Sequence, residues 1–379
     1  MWPFHVNYPV HDGYSVLTTP GRVGVTSTCS GRGVVIAFID SGFYPHPDLA
    51  DRVVVHVDAT SNRVIESDRN FKLPEWFSWH GQMTSVIAAG AGKTFPGVAP
   101  GARLVLIKVS NRRGRIKEED ILRGFRWVCE NHARYNIRVV NVSVGGDFES
   151  ADPAHPLHRC VQRLAAEGIT VCVAAGNRLR AFVLPPASAP ASITVGGVDD
   201  HNSMNPHEWL LYLSSYGYAY DRTPKPEVIA PARWIASPIL PGTPEARKAH
   251  WLARLLDCKD EGEVRAILRE GYTDLEIAPL RARVPDAHLY RELQYQIEKH
   301  KIIDGEHQHV DGTSVAVAIV TGIVALLLEA RPSLSPGEIR ALLTGTADLL
   351  PGIPRERQGG GLVNVSRALA YLGELANVP

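Results

Sequence analysis

Several short, unbroken runs of Val, Ile and other apolar residues constrain the fold of this chain more than any other feature. The runs show no polar alternation, so the strands that they predict are expected to be buried on both faces. They are GVVIAFID (33–40), RLVLIKV (103–109), IRVVNVSV (137–144), ITVCVAA (169–175), SITVGGV (192–198) and PEVIAPA (226–232). Helical patterns lie between and after them, at about 80–91, 117–135, 155–167, 314–331, 335–345 and 366–375. This alternation predicts an α/β fold with a mostly parallel central sheet and helices on both faces.

Polar and small residues follow three of these runs at the point where each strand should end. They are Asp40, then Ser143 and Gly145, then Gly176 and Asn177. In parallel sheets the reactive groups gather at the carboxyl ends of the strands. Taken singly, Asp40 and Asn177 also fit a turn or a cap, so their value lies in occurring together.

The overall composition is that of a soluble globular protein. The chain has 379 residues, 45% of them hydrophobic and 21% charged, and 40 basic residues balance 40 acidic ones. No charge excess therefore indicates a nucleic-acid or membrane partner. The N-terminus lacks the basic start and apolar core of a secretory signal, and the cysteines form no CxxC pair. We expect a cytoplasmic protein with reduced thiols at Cys29, Cys129, Cys160, Cys172 and Cys258.

The long apolar run after Ser314 is expected to be a buried helix. From Val315 to Leu328 it is shorter than the roughly 20 residues that cross a bilayer, and the pair Arg331 and Pro332 ends it. Ser314 then lies near the N-terminus of that helix, where free backbone N–H groups and the helix dipole favour negative charge. Such a serine is either a helix cap or a nucleophile with oxyanion donors beside it, and both readings stay open.

A nucleophilic serine needs a base, a carboxylate that orients the base, and donors for the oxyanion. The sequence offers His80 at the start of a small-residue helix, Asp40 after a strand, and the side-chain amide of Asn177. A lone histidine is more often structural than catalytic. The position of His80 between Asp40 and Ser314 in the chain favours the catalytic interpretation.

Six fragments, in order and with similar spacing, resemble those of the subtilisin-like serine peptidases. They are VVIAFIDSGFYPHPDL, HGQMTSVIAAG, NVSVGG, VAAGN, KPEVIAPA and DGTSVAVAIVTGIVALL. The resemblance covers about residues 30–240 and 307–372. It implies a subtilisin-like three-layer fold and an Asp-His-Ser triad, with Ser314 as nucleophile, His80 as general base and acid, and Asp40 fixing the imidazole tautomer. It also implies an oxyanion hole made by Asn177 and the backbone N–H of Ser314.

The same resemblance implies a cleft for an extended peptide, held at two edges and in one pocket. One edge would comprise Gly114, Arg115 and Ile116, the other Ser143, Val144 and Gly145, and the pocket Ala174, Ala175 and Gly176. The arginines at 112, 113 and 115 make one rim basic. Either they select acidic residues along the peptide, or they form a solvated charge run.

The expected chemistry requires no cofactor. Relatives often carry structural calcium, but the sequence contains no complete set of oxygen ligands that can be identified. His307 and His309 would supply only half of a zinc shell.

One region departs from the alternation of strand and helix. From about 241 to 306 the chain is charged and helical, and we predict a helical subdomain inserted in a catalytic domain that spans 30–379. Residues 1–29 form a predicted N-terminal arm that packs on the body or across the cleft. The insertion either restricts access to the cleft, docks a partner, or decorates the surface.

These features predict a cytoplasmic serine endopeptidase that processes selected intracellular peptides or proteins. Two alternatives remain: a peptide cyclase or transpeptidase that uses the same triad, and a catalytically silent peptide-binding scaffold. The second is motivated by Trp79, which precedes His80 where the family usually has Gly.

Overall fold

The chain is divided into two units in the computed structural model. The larger comprises Leu17–Ile235 and Asp311–Pro379, and the smaller comprises Met1–Val16 and Ala236–Val310. The structure describes residues 4–6, 8–9, 16–26, 28–44, 46–60, 64–67 and 75–376. Part of the predicted N-terminal arm, namely residues 1–3, 7, 10–15 and 27, lies outside the described residues. The predicted domain boundaries stay a prediction.

Each of the six apolar runs contains a strand of one large sheet. The strands of the chain are β1 Val35–Asp40, β2 Val53–Asp58, β3 Ile65–Glu66, β4 Arg103–Lys108, β5 Ile137–Val142, β6 Thr170–Ala174, β7 Ile193–Asp199, β8 Leu210–Leu211, β9 Gly217–Tyr218, β10 Pro224–Lys225, β11 Val228–Pro231, β12 Ile235–Pro238 and β13 His307–Val310. Within the described residues the large sheet has nine strands, in the order β11-β7-β6-β5-β1-β4-β2-β3 with β8 beside β7. Its pairings are parallel except at β3 and β8.

Twelve α-helices lie within the described residues, and the long ones occupy segments where apolar residues recur at helical spacing. They are α1 Thr19–Arg22, α2 Ser78–Ala89, α3 Glu118–Tyr135, α4 Pro156–Ala166, α5 Pro244–Leu256, α6 Glu261–Gly271, α7 Pro279–Arg283, α8 Ala287–His300, α9 Thr313–Ala330, α10 Pro336–Thr346, α11 Arg355–Gln358 and α12 Val365–Ala376. All six predicted helices are present, and the predicted α/β class with a mostly parallel sheet is confirmed.

Helices cover both faces of the large sheet, which explains the unbroken apolar runs. Ala37 and Ile39 of β1 belong to a buried cluster with Phe125 of α3 and residues of α4. On β5, Asn141 alternates with members of that cluster, and its Oδ1 accepts a hydrogen bond from Thr321 Oγ1 of α9 at 3.0 Å. Because neighbouring residues of a strand point to opposite faces, α9 packs on the face opposite α3 and α4.

The central helix α9 is as apolar as a membrane span. Its 18 residues have a mean hydropathy of 2.1, and among the described residues it is the one helix long and apolar enough to cross a bilayer. However, 89% of that window is buried inside the protein. This degree of burial is typical of a core helix, and it agrees with the interpretation made from the sequence.

The smaller unit has its own core. Leu252 of α5, Leu268 of α6 and Leu293 of α8 are fully buried in one cluster. Its helices carry side-chain caps: Asp260 Oδ1 accepts a hydrogen bond from the backbone of α6, and Asp286 Oδ1 does so for α8. The region expected at about 241–306 to be helical thus contains α5, α6, α7 and α8.

Candidate active site

The carboxylate of Asp40 and the imidazole of His80 form a short, directed pair. Asp40 is the last residue of β1 and is fully buried. Its Oδ1 lies 2.6 Å from His80 Nδ1 and also accepts a hydrogen bond from the backbone N–H of Ser41 at 2.6 Å. Because an ionised carboxylate can only accept, Nδ1 of His80 carries the hydrogen. In neutral His80, Nε2 is then left with a lone pair that can take a proton.

The surroundings of His80 act on its pKa in opposite directions. Burial lowers the pKa, whereas the charge of Asp40 and the hydrogen bond to it raise the pKa. The attraction prevails, and the pKa of His80 is raised above its ordinary value. The ring is 23% exposed, so it remains open to a reacting group. Such a histidine is a base that holds a proton firmly once it has accepted one.

Close packing of α2 brings His80 to the end of β1. A Cβ at Gly81 would lie 2.0 Å from the carbonyl oxygen of Gly42, so no other residue fits there without a shift of the backbone. One turn after His80, Thr84 Oγ1 donates to Asp40 Oδ2 at 3.1 Å. The sequence analysis missed Thr84. The signal was its i+4 spacing from His80, which places both side chains on one face of the helix.

Ser314 is the second residue of α9 and is not its cap. The N-cap is Gly312, with φ 141° and ψ 158°, and it makes no side-chain capping bond. The capping interpretation of Ser314 is therefore wrong. Its side chain is nearly buried at 7% exposure. Because the first N–H groups of a helix have no partner within the helix, the backbone around Ser314 is suited to hold an oxyanion.

Thr313 fixes the side chain of Asn177 beside Ser314. Asn177 Oδ1 accepts from the backbone N–H of Thr313 at 2.7 Å and from its hydroxyl at 2.9 Å. The same hydroxyl accepts from the backbone N–H of Gly176 at 3.2 Å. Since these bonds hold the amide oxygen, the NH₂ group of Asn177 is the part that can donate to a ligand. Thr313 was not predicted as a site residue, although it directly precedes Ser314.

Most of the predicted site residues line one cavity of about 440 Å³. Ser314, Asn177 and the segments 143–145 and 174–176 all line it. The carboxyl ends of β5 and β6 supply the two segments, and the start of α9 supplies Ser314, as the topology of a parallel sheet predicts. Among the described residues no hydrogen bond joins His80 to Ser314. In unliganded enzymes this contact is often long and tightens when substrate binds.

Two arginines that the sequence analysis did not single out also line this cavity. Arg178 and Arg180 follow Asn177 and are exposed, while Phe182 and Leu184 provide apolar wall. Asp147 is the acidic residue of the lining. The arginines at 112, 113 and 115 are outside this lining, and the basic rim expected there stays a prediction. The tripeptide Arg-Leu-Arg after Asn177 was the signal for the arginines that do line the cavity.

The segment 114–116 lies outside the lining of this cavity and stands near the start of α2. Gly114 has φ +71°, and a Cβ there would lie 2.4 Å from the ring of Trp76. Ile116 pairs with Ser110 in an antiparallel bridge that closes the loop. The ring of Trp79 contacts that of His80 edge to face, with centroids 5.3 Å apart. The indole of Trp79 thus flanks the imidazole of His80.

No group of three or more His, Cys, Asp or Glu side chains is placed to hold a metal ion in the part of the chain that the structure describes. His307 instead lies 2.9 Å from the carboxylate of Asp304 through Nδ1, and His309 contacts the ring of Tyr8. Whether calcium is needed stays a prediction.

Known proteins are similar to this chain in sequence and in fold. The model of the subtilase family matches residues 31–361. The serine protease AprX of Bacillus subtilis (strain 168) is 27% identical over 350 residues, which cover 90% of this chain and 67% of that protein. A cuticle-degrading serine protease of Orbilia oligospora is 32% identical over 214 residues, or 56% of this chain and 45% of that protein.

Among solved structures, fervidolysin from Fervidobacterium pennivorans is similar, with a TM-score of 0.62 and 22% identity. It is described as a keratinolytic enzyme related to subtilisin, and the likeness covers 93% of this chain and 45% of that one. At this identity the likeness shows the fold, and it confirms the predicted subtilisin-like architecture. The chain spans about two thirds of the length of AprX, and less than half of the fungal protease and of fervidolysin.

Proposed function

This chain belongs to the subtilase family of serine proteases, as its motifs predicted, and on this premise we propose that it is a serine endopeptidase acting through an acyl-enzyme. One observation carries the proposal. Asp40 and His80 form a paired carboxylate and imidazole, while Ser314 and Asn177 meet at one cavity. A serine, an oriented base and an oxyanion donor are together what acyl transfer needs.

In the proposed reaction, Ser314 Oγ attacks the carbonyl carbon of the scissile bond while His80 Nε2 takes its proton. The oxyanion receives hydrogen bonds from the Asn177 amide and the backbone N–H of Ser314. His80 then gives the proton to the leaving amine, and the acyl-enzyme forms. Water, activated by the same imidazole, releases the acid. Asp40 stabilises the imidazolium in both steps and keeps its tautomer fixed.

We propose that the peptide lies between 143–145 and 114–116, with the side chain on the N-terminal side of the scissile bond in the cavity. Main-chain hydrogen bonds to two edges would give affinity, and the cavity would give selectivity. The mixed lining supports selection, because it combines Arg178 and Arg180 with the apolar side chains of Phe182 and Leu184.

We further propose that the protein processes selected peptides or proteins in the cytoplasm. The cysteines support this setting, since Cys129 and Cys160 lie close together and no disulfide joins them. In an oxidising compartment such a pair would be expected as a disulfide.

The test is the intact mass of the purified protein after reaction with a fluorophosphonate probe. We expect a single adduct on the parent and none on Ser314→Ala. Ser143→Ala is the matched control, because Ser143 lines the same cavity but has no role as nucleophile, and it should still be labelled. A folded parent that takes no adduct, or an adduct that persists in Ser314→Ala, would refute the proposed nucleophile.

A second measurement separates hydrolysis from aminolysis. Products of a cleaved peptide are identified by mass in the presence of a competing amine. Free acid as the main product supports an endopeptidase, whereas an amide product in excess would instead support a transpeptidase.

A further inference from the structure

Two cysteines lie together at the packed face of α3 and α4, away from the cavity that holds Ser314. Cys129 of α3 is buried and Cys160 of α4 is half-buried. Both line a second surface cavity of about 330 Å³. Their side chains interact with each other, although no disulfide joins them. The pair therefore combines one thiol that solvent can reach with a second thiol held behind it.

Cations surround this pair. Arg126, Arg159 and Arg163 line the same cavity, and the acidic residue of the lining is Glu130. Arg163 Nη2 donates to the carbonyl oxygen of Cys129 at 3.3 Å, while its Nε pairs with Glu167 at 3.0 Å. Three guanidinium groups against one carboxylate in the lining favour a negative charge on sulfur.

The two thiols differ in acidity. The hydrogen bond from Cys129 lowers the pKa of Cys160, burial opposes this, and Arg126 and Arg163 lower the pKa further, so that it falls below the ordinary value. The same hydrogen bond, together with burial, raises the pKa of Cys129. By contrast, burial raises the pKa of Cys172 to about 12 and that of Cys258 to about 11. Cys160 is the thiol of the pair that ionises first.

We propose that Cys160 and Cys129 form a redox modification site, at which a small hydroperoxide oxidises Cys160 and Cys129 then closes an intramolecular disulfide. The half-buried position of Cys160 admits a molecule the size of hydrogen peroxide, and the arginines stabilise the thiolate that attacks it. Cys129 is shielded from solvent but lies within reach of Cys160. A resolving thiol needs this arrangement.

The proposed steps balance with hydrogen peroxide as oxidant. The Cys160 thiolate attacks one oxygen of the peroxide, the O–O bond breaks, and hydroxide leaves and takes up a proton to form water. Cys160 becomes a sulfenic acid. The sulfur of Cys129 then attacks the sulfur of Cys160, the S–O bond breaks, and the departing hydroxide combines with the thiol proton as a second water. The two thiols lose two electrons, and the peroxide gains them.

The experiment treats the reduced full-length protein with stoichiometric hydrogen peroxide, alkylates the remaining thiols, and maps the cysteines by peptide mass. We expect a peptide pair linked through Cys129 and Cys160, two hydrogens lighter than the sum of the reduced peptides, while Cys172 and Cys258 stay alkylatable. Oxidation that starts at another cysteine, or a pair that remains fully alkylatable, would overturn the proposal.

Variants test the order of the two steps. Cys160→Ser should abolish the peroxide reaction at the pair. Cys129→Ser should stop at a sulfenic acid on Cys160, which dimedone traps. Cys29→Ser is the matched control, since Cys29 is half-buried and outside the pair, and it should give the same disulfide as the parent. A dimedone adduct on Cys129 in the Cys160→Ser variant would contradict the assigned order.

Discussion

At the residue scale, the balance of burial and charge at His80 determines how activity depends on pH. The base must be neutral to accept the serine proton, and the pKa of His80 is raised. We therefore expect kcat/KM to fall as the pH drops through a value above about 6.5, the ordinary pKa of histidine. In Asp40→Asn the attraction is lost while burial remains, so the pKa should fall below that of the parent and kcat should drop about 10⁴-fold.

The pH profile is measured with a fluorogenic peptide between about pH 5 and 9, and the His80 ring is titrated by NMR in Asp40→Asn. Thr84→Val is the matched control: it removes a neutral hydrogen bond to the same carboxylate but leaves the charge. In Thr84→Val, kcat/KM should fall at nearly the same low pH as in the parent. An equal pKa of His80 in the parent and in Asp40→Asn would contradict the electrostatic explanation.

Thr313 offers a second test, because its hydroxyl holds the side chain of Asn177, the proposed oxyanion donor. Thr313→Val removes the hydroxyl that bonds to Asn177 Oδ1 and to Gly176, whereas Thr313→Ser keeps it. We expect kcat to fall about 10-fold in the valine variant with KM little changed, and to be nearly normal in the serine variant. Asn177→Ala alone should lower kcat by about 10²–10³.

The double variant Thr313→Val with Asn177→Ala distinguishes positioning from general damage. If Thr313 works by orienting Asn177, adding its loss to Asn177→Ala should lower kcat little further. A full additional 10-fold loss in the double variant would mean that Thr313 acts by another route.

The sequence indicated Asp40, His80, Asn177 and Ser314 as candidates, but not Thr84 and Thr313, which hydrogen-bond to Asp40 and Asn177. The former stand at strand or helix ends, where pattern and resemblance both indicate them. Thr84 and Thr313 were missed because the partners of their hydrogen bonds, Asp40 and Asn177, are distant in the chain, and spacing alone does not identify such partners. The labelling, pH-profile and kinetic measurements described above test the proposed roles of these residues.

At the element scale, long buried elements were predictable and short ones were not. The six apolar runs and six helical patterns each correspond to an observed element. Burial of both faces of a strand gives a continuous apolar run, and burial of one face of a helix gives a helical period. Strands such as β8, β9 and β10 have two residues each and carry no period. Backbone pairing to a neighbour defines them, so they follow from the fold and not from their own sequence.

Glu118, the first residue of α3, connects three elements near the cavity. Its Oε2 accepts from the backbone N–H of Asp147 at 3.1 Å, and its Oε1 lies 3.3 Å from Nε2 of His155 at the start of α4. Asp147 lines the cavity. Glu118→Ala removes the hydrogen bond that holds the backbone of Asp147, so this part of the cavity wall should become less ordered. We expect KM to rise about 5-fold, which corresponds to roughly one hydrogen bond.

Glu119→Ala is the matched control for this change. Glu119 is 70% exposed and pairs with Arg123 on the surface, and such pairs contribute little. Kinetics with a peptide substrate should be unchanged in this variant. If both variants raise KM equally, the effect would come from the charge at the helix start and not from support of the cavity wall.

At the scale of the whole molecule, two separate cores suggest two unfolding events. One cluster lies between the large sheet and the helices α3 and α4, and another joins α5, α6, α7 and α8 of the smaller unit. Each unit thus buries its own apolar surface, the condition under which a region can unfold cooperatively by itself. The helical spacing of the charged region at about 241–306 predicted its helices, whereas the separate core became apparent only from the packing.

We expect thermal unfolding of the full chain to show two transitions, each assignable with one substitution. Leu268→Ala in the smaller unit and Leu164→Ala in the larger unit both truncate a fully buried leucine, and each should destabilise its own unit by about 2–5 kcal/mol. In calorimetry, Leu268→Ala should move one transition and leave the other in place, and Leu164→Ala should do the reverse. Because the two substitutions are chemically identical, each serves as the control for the other. A single transition that both variants shift equally would mean that the two cores unfold as one cooperative unit.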